Sequence, residues 1–426
     1  MAAPDTQTPA APRALPQHVP MDQFPVRDGQ LVVGGLPLNQ LAARVGSTPF
    51  YAVDRQLLRD RVATLRAVLP AEVKLHYAMK ANPMPAVVAC MAGLVDGIDV
   101  ASGGELKVAL DAGADPAEIS FAGPGKRDPE LRQAVASGVL VNVESLRELD
   151  VLAAAAAELG LPARVALRVN PDFELKGSGM KMGGGPKQFG IDVEQLAEAF
   201  ARIRALGLAF EGFHLFAGSQ NLKAEAICEA QCKAYDLALR LAAEAPTPLR
   251  FLNLGGGFGI PYFPGEQRLD LAPIGANLAA LVERAKVELP QAELVIELGR
   301  YFVGEAGVYV TRVVDRKISR GQVYLVCDGG LNHHLSASGN FGQVIRKNYP
   351  VAIGNRMPTA DAPEAAFESV MAVGPLCTPL DTLAERMRLP VADVGDLVVV
   401  FQSGAYGASA SPQAFLGHPV VTEVLV

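Results

Sequence analysis

Cysteine is scarce in this sequence. Cys90, Cys228, Cys232, Cys327 and Cys377 are too few among 426 residues for a disulfide framework, so a reducing cytoplasm is the expected location. Cys228 and Cys232 stand one helical turn apart with no His or Cys pair nearby. They read as packing residues, and no metal site is expected. There is no basic stripe, and the formal net charge is −7, which argues against a nucleic-acid partner. No apolar run reaches membrane-spanning length, which argues against a membrane partner. The stretch from Met1 to about Pro20 is rich in Ala and Pro but lacks the apolar segment of a signal peptide. It reads as a disordered lead-in, taken as residues 1–25. No internal repeat is present. What remains is half apolar and 19% charged, ordinary for a globular protein and long enough for two domains.

Gly29 to Leu36 reads as a short strand pair, within an N-terminal portion (26–47) expected to pack on a later β-domain. From Thr48 the pattern alternates. Strand-like apolar runs at Leu75–Lys80, Gly97–Ala101, Ile119–Ala122, Val139–Val143, Val165–Val169, Phe210–Phe216, Phe251–Leu254 and Leu294–Glu297 are separated by segments of helical periodicity. Among these are Arg55–Leu69, Gly104–Ala112, Ser145–Leu159, Val193–Leu206 and Ala224–Ala243. Eight strands with crossover helices predict an α/β fold, a (β/α)8 barrel over 48–304. An open doubly wound sheet is the alternative that the count does not exclude. Beyond Val308 short β-runs dominate and predict a C-terminal β-domain over 305–426, with an exposed loop at Asn355–Phe367.

The chain is organised around Val73-Lys74-Leu75-His76-Tyr77-Ala78-Met79-Lys80-Ala81-Asn82-Pro83. Apolar residues alternate toward one lysine, and Asn-Pro stops the strand after it. Lys80 is thereby placed at the carboxyl end of a strand, where α/β folds keep their chemistry. A lysine amine in an apolar mouth can form a Schiff base with a carbonyl, whereas most lysines simply stay solvated at the surface. Gly255-Gly256-Gly257 and Gly218-Ser219 end two neighbouring strands, and such ends form anion nests as well as tight turns. Glu297 and Arg300, after the last barrel strand, suit a protonated ring nitrogen and a phosphate, or form an ion pair with each other. Cys377 lies in a tight turn, Gly374–Asp381, where an exposed thiol is more plausible than at the other cysteines. Tyr406 lies in a glycine-rich turn, as a ligand contact or a cap of the β-domain core. A Schiff-base lysine, a phosphate nest and a carboxylate for a ring nitrogen together make a site for pyridoxal 5′-phosphate.

The motifs HYAMKAN (His76–Asn82), DVASGGEL (Asp99–Leu106), GPGK (Gly123–Lys126), GSQ (Gly218–Gln220), LGGGFG (Leu254–Gly259), ELGRY (Glu297–Tyr301), GPLCTPLD (Gly374–Asp381) and SGAYG (Ser403–Gly407) stand along one chain. In combination they resemble the fold-type III pyridoxal-phosphate decarboxylases, the family of diaminopimelate, ornithine and arginine decarboxylases. The resemblance covers about Thr48 to Pro419. KMGGGPKQFG (Lys181–Gly190), GFGIPYF (Gly257–Phe263) and FLGHP (Phe415–Pro419) are similar to the branch that decarboxylates a glutamyl group on an acyl-carrier protein in butirosin biosynthesis, and to exosortase-associated decarboxylases.

The resemblance implies an amino-acid decarboxylase with an alanine-racemase-like barrel. Lys80 carries the cofactor, Ser219, Gly257 and Arg300 bind its phosphate with Tyr406 adding a contact, and Gly256 and Gly299 are further cofactor-binding positions. Glu297 meets the ring nitrogen, with Arg168 near the ring. Cys377 comes from the other subunit of a homodimer with shared sites, and delivers a proton to the α-carbon. Arg300, Arg346, Tyr349, Thr378 and Tyr406 are the expected substrate contacts. Three departures from the family pattern stand out. Phe216 occupies the usual place of a histidine stacked on the ring, with His214 two residues earlier. Thr378 replaces the acidic residue that holds a distal ammonium, so free diaminopimelate, lysine or ornithine is expected to be a poor substrate. Leu298 replaces the usual proline of the EPGR motif. A carrier protein is thus a candidate partner. The competing readings are diaminopimelate decarboxylase itself, a racemase (disfavoured by Glu297, since family racemases place arginine there) and a pyridoxal-phosphate-binding protein without catalysis.

Overall fold

The computed structural model describes residues 16–172, 180–181, 184–343, 345–358 and 366–426. Eight parallel strands, Lys74–Ala78, Gly97–Val100, Ile119–Phe121, Leu140–Val143, Arg164–Asn170, Ala209–His214, Phe251–Gly256 and Glu293–Leu298, pair in chain order. The last pairs with the first, Val295 opposite Lys74 and Leu298 opposite Tyr77, and the barrel closes. Closure excludes the open sheet. Strands such as Leu140–Val143 are buried at every residue because helices cover their outer face and side chains fill the inside. The helices form for legible reasons. In Arg55–Val68 the Asp54 carboxylate accepts from the Gln56 and Leu57 amides, and Leu58, Val62 and Leu65 make one stripe toward the barrel.

The second sheet joins Gly307–Ser319, Gln322–Cys327, Val351–Ile353, Phe367–Val373, Thr382–Pro390, Leu397–Val400 and Thr422–Leu425 with one early strand, Phe50–Val53. That strand corrects the expected barrel range of 48–304. Phe50–Val53 lies antiparallel to Gly307–Ser319 and parallel to Thr422–Leu425, so it belongs to the β-domain. All four of its residues are buried, which local periodicity cannot assign to one sheet or the other.

Residues 26–47 contain three short strands and a helix, Leu38–Val45. Leu31, Val33, Leu38 and Leu41 share a core with Phe50, Val308, Val310, Leu397 and Val399 of the β-domain. The lead-in expected over residues 1–25 is ordered in its described part. Phe24 is buried in this same core, His18 Nε2 lies 2.9 Å from the Asn348 carbonyl, and Arg268 holds Asp22. Residues 1–15 lie outside the described residues, as do 182–183 of the Lys181–Gly190 motif and 359–365 of the loop expected at Asn355–Phe367.

Candidate active site

Lys80 follows the first barrel strand in a single 3-10 turn, Met79–Ala81. Met79 and Ala81 are buried and Lys80 is exposed, with Nζ 5.6 Å from the centre of the Phe216 ring. The turn is anchored from both domains. Tyr77 Oη donates to the Asn82 carbonyl (2.8 Å), Asn82 Nδ2 to the Gly404 carbonyl (2.9 Å) and the Tyr406 amide to the Ala81 carbonyl (2.8 Å). The HYAMKAN and SGAYG motifs are therefore one structural unit, joined where the domains meet.

The two glycine-containing strand ends are laced together. The Asn221 amide donates to the Gly257 carbonyl (2.9 Å), the Gly259 amide to the Asn221 carbonyl (2.8 Å), and the Gln220 side chain bonds both main-chain groups of Ile260. Gly257 has φ +75°, and a Cβ there would lie 2.2 Å from the Gly218 carbonyl oxygen, so only glycine allows this approach. Arg300 projects beside the loops. Its Nη1 donates to Tyr262 Oη (2.7 Å), its guanidinium lies 4.6 Å from the Tyr406 ring centre, and its Nε is buried without a protein acceptor. Ala78, Lys80, Phe216, Ser219, Gly257, Glu297 and Arg300 line a small cavity, with Gly299 and Tyr406. Gly256 stands next to it, its Cα packed on the Glu297 carbonyl.

Glu297 ends the eighth strand, buried, with Oε2 2.9 Å from His214 Nε2 and 3.2 Å from Asn253 Nδ2. His214 Nε2 and Asn253 Nδ2 thus face the same carboxylate oxygen. Burial alone would raise the Glu297 pKa. The charge and contact of His214, with Lys80 and Arg168 beyond, hold it down instead, well below the usual carboxylate range. Arg168 reaches the same interior, where its Nη1 bonds Glu144 Oε1 (2.8 Å) and its guanidinium lies 4.8 Å from the Phe189 ring centre. Burial raises Glu144 too, but Arg168 and Lys126 bring it below its ordinary value. Lys126 of the GPGK motif is locked by Glu148 (3.1 Å) and the Gly123 and Asn142 carbonyls.

The β-domain residues divide. Tyr349 is buried and packs on Tyr262 (4.6 Å between ring centres), which bonds Arg300, so it joins the site wall. Arg346 donates through its two terminal nitrogens to the Ser338 (2.6 Å) and Thr382 (2.7 Å) carbonyls, and its Nε is buried without a protein acceptor. Cys377 is exposed on its turn, and Thr378 Oγ1 accepts from the Leu380 amide (3.3 Å). Asp381 shapes that turn by accepting from the Leu331 and Leu376 amides. No contact joins Cys377 or Thr378 to the Lys80 cavity within this chain among the described residues. His214, Asn253 and Tyr262 were not among the expected site residues. The two-residue spacing of His214 and Phe216 is a strand signal that both face the barrel interior.

A larger cavity, about 820 Å³, opens at the opposite mouth between Glu118, Arg164, Glu211, Arg250 and Glu293. It lies at the amino ends of the strands, where conservation of structure rather than chemistry is the rule for barrels.

Residues 55–304 match the family described as pyridoxal-dependent decarboxylase, pyridoxal binding domain. The L-glutamyl-[BtrI acyl-carrier protein] decarboxylase of Niallia circulans is 38% identical over 89% of this chain and 88% of that protein. The diaminopimelate decarboxylase of Aquifex aeolicus is 33% identical over 94% of this chain and 91% of its own. The crystal structure of diaminopimelate decarboxylase from M. jannaschii with L-lysine superposes with a TM-score of 0.83 at 26% identity, covering 95% of this chain and 92% of that one.

Proposed function

The chain belongs to the pyridoxal-dependent decarboxylases, and within that family we propose that it acts on an aminoacyl group carried by an acyl-carrier protein rather than on a free basic amino acid. One observation carries the substrate reading: the turn that presents Cys377 offers no unpaired carboxylate. Thr378 stands where a family carboxylate holds a distal ammonium, and both Asp381 oxygens are taken by backbone amides. An ammonium brought into this turn would be desolvated with no carboxylate beyond Asp381, which is buried and already committed to shaping the turn. A neutral thioester-linked arm needs no such partner. The likeness to the Niallia circulans enzyme supports the same substrate class.

The residues fit pyridoxal phosphate. The Lys80 amine opens on the cavity, Arg300 Nε is buried and lacks an acceptor, and an ionised Glu297 lines the far wall. Bound there through Lys80, the cofactor supplies an electron sink that stabilises the α-carbon as CO2 leaves. Ser219, Gly256, Gly257, Gly299 and Arg300 hold its phosphate, with Tyr406 against the Arg300 guanidinium. Glu297 keeps the ring nitrogen protonated, and Phe216 covers the ring face as an uncharged surface. Arg168 balances the buried charge near Glu297. Cys377, supplied by a second copy in a homodimer, delivers a proton to the α-carbon. The test is CO2 release from a panel of diaminopimelate, lysine, ornithine, glutamate and a glutamyl-carrier thioester. Release from the thioester is expected, and rapid turnover of free diaminopimelate overturns the substrate reading.

A further inference from the structure

We propose that His214 and Asn253 form a positioning pair that fixes which oxygen of Glu297 is offered to the cofactor ring, and that Asn253 ties that choice to the phosphate-binding turn. The inference rests on the reading of Glu297 as the ring-nitrogen partner.

Asn253 is fully buried in the seventh strand, two residues before Gly255. Its Oδ1 accepts the Gly255 amide (2.8 Å), and an amide N–H can only donate, so the orientation of the side chain is settled. Its Nδ2 must then point the other way, where it donates to Glu297 Oε2 (3.2 Å). His214, from the sixth strand, places Nε2 2.9 Å from the same oxygen. Both contacts fall on Oε2, which leaves Oε1 for a ligand in the cavity that Glu297 lines. One asparagine thus spans the first glycine of the phosphate turn and the carboxylate of the next strand.

A cluster present only for packing would satisfy its own polar atoms, because orphaned buried groups cost stability. This one does not. His214 Nδ1 is buried without a partner, while Nε2 on the other side of the ring lies 2.9 Å from Glu297 Oε2. The ring is placed for its effect on the carboxylate. Lys80, in the turn after the first strand, and Arg168, on the fifth, also act on Glu297 through their charges. Neither of them contacts Oε2 directly, so the selection between the two oxygens falls to His214 and Asn253.

The full chain and its His214→Leu and Asn253→Ala variants would be titrated with pyridoxal 5′-phosphate and with its 1-deaza analogue, which has carbon in place of the ring nitrogen. The two variants alter different strands, so one remains if the other fails to fold. For each variant the expected result is a loss of about tenfold in affinity for pyridoxal phosphate and none for the analogue. In the reconstituted variants the ring-nitrogen ¹⁵N resonance should also move toward the unprotonated position. Equal losses for both ligands, or no loss for either, overturn the inference and leave the pair as ordinary packing. A wild-type chain that binds neither ligand overturns the cofactor reading itself, which separates the two failures.

Discussion

The two mouths of the barrel are built from similar residues put to different use. At the amino ends of the strands Lys74 bridges Glu118 and Glu293, both at 2.8 Å, and Arg164 pairs with Glu211. At the carboxyl ends Lys80 has the Phe216 ring 5.6 Å from its amine and no ion pair among the described residues, and Arg300 keeps a buried Nε without an acceptor. The wider cavity is at the first mouth, yet its lysine is already neutralised by two carboxylates. The lysine of one mouth is thus paired with carboxylates, and the lysine of the other is not.

That contrast can be broken by substitution. Lys80→Ala should remove the absorbance of the bound cofactor near the visible edge and lower CO2 release by more than about a thousandfold. Cys377→Ala should come next, with turnover down by about a hundredfold while the cofactor spectrum is retained. A Cys377→Ala protein mixed with a Lys80→Ala protein sharpens the result. If the sites are shared between subunits, mixed dimers regain one working site, and activity returns on mixing. Lys74→Ala should have the smallest effect. Its ion pairs are partly exposed, so stability should fall by no more than about 1 kcal/mol in a denaturant titration, with cofactor affinity unchanged. A Lys74 variant that lost the cofactor would erase the distinction between the mouths.

Much of the barrel is legible because each strand and helix carries its own periodicity. Leu75–Lys80 and Arg55–Leu69 are recognised without reference to the rest of the chain, and the structure places strand Lys74–Ala78 and helix Arg55–Val68 there. Phe50–Val53 is not legible in this way, since its partners Gly307–Val310 are remote in sequence and nothing local names them. Thr382–Pro390 is hard to read for a related reason: its outward residues Glu385, Arg386 and Arg388 interrupt the apolar pattern, and Arg386 takes a positive φ of 48°. In the site, Lys80, Gly257 and Glu297 announce themselves at strand ends. Asn253 does not, because an asparagine two residues before a glycine is also an ordinary turn signal. Its contact with Glu297 exists only once neighbouring strands are in register. Arg346 shows the converse, a cation with the composition of a ligand contact that the fold uses to tie two loops.

The early strand Phe50–Val53 also sets an order of events during synthesis. It emerges from the ribosome before the barrel, but both strands it pairs with, Gly307–Ser319 and Thr422–Leu425, come after it. The barrel is in effect an insertion within the β-domain. Its repeating units meet neighbours close in sequence and are able to assemble as they appear, whereas the second sheet waits on contacts of long sequence separation. Until then an apolar strand has no partner, and Tyr406 is not yet made to dock on the Lys80 turn. A nascent chain arrested after residue 304 would therefore hold the lysine and both glycine loops but lack the tyrosine that backs Arg300, so the wall of the Lys80 cavity is completed only by the last part of the chain.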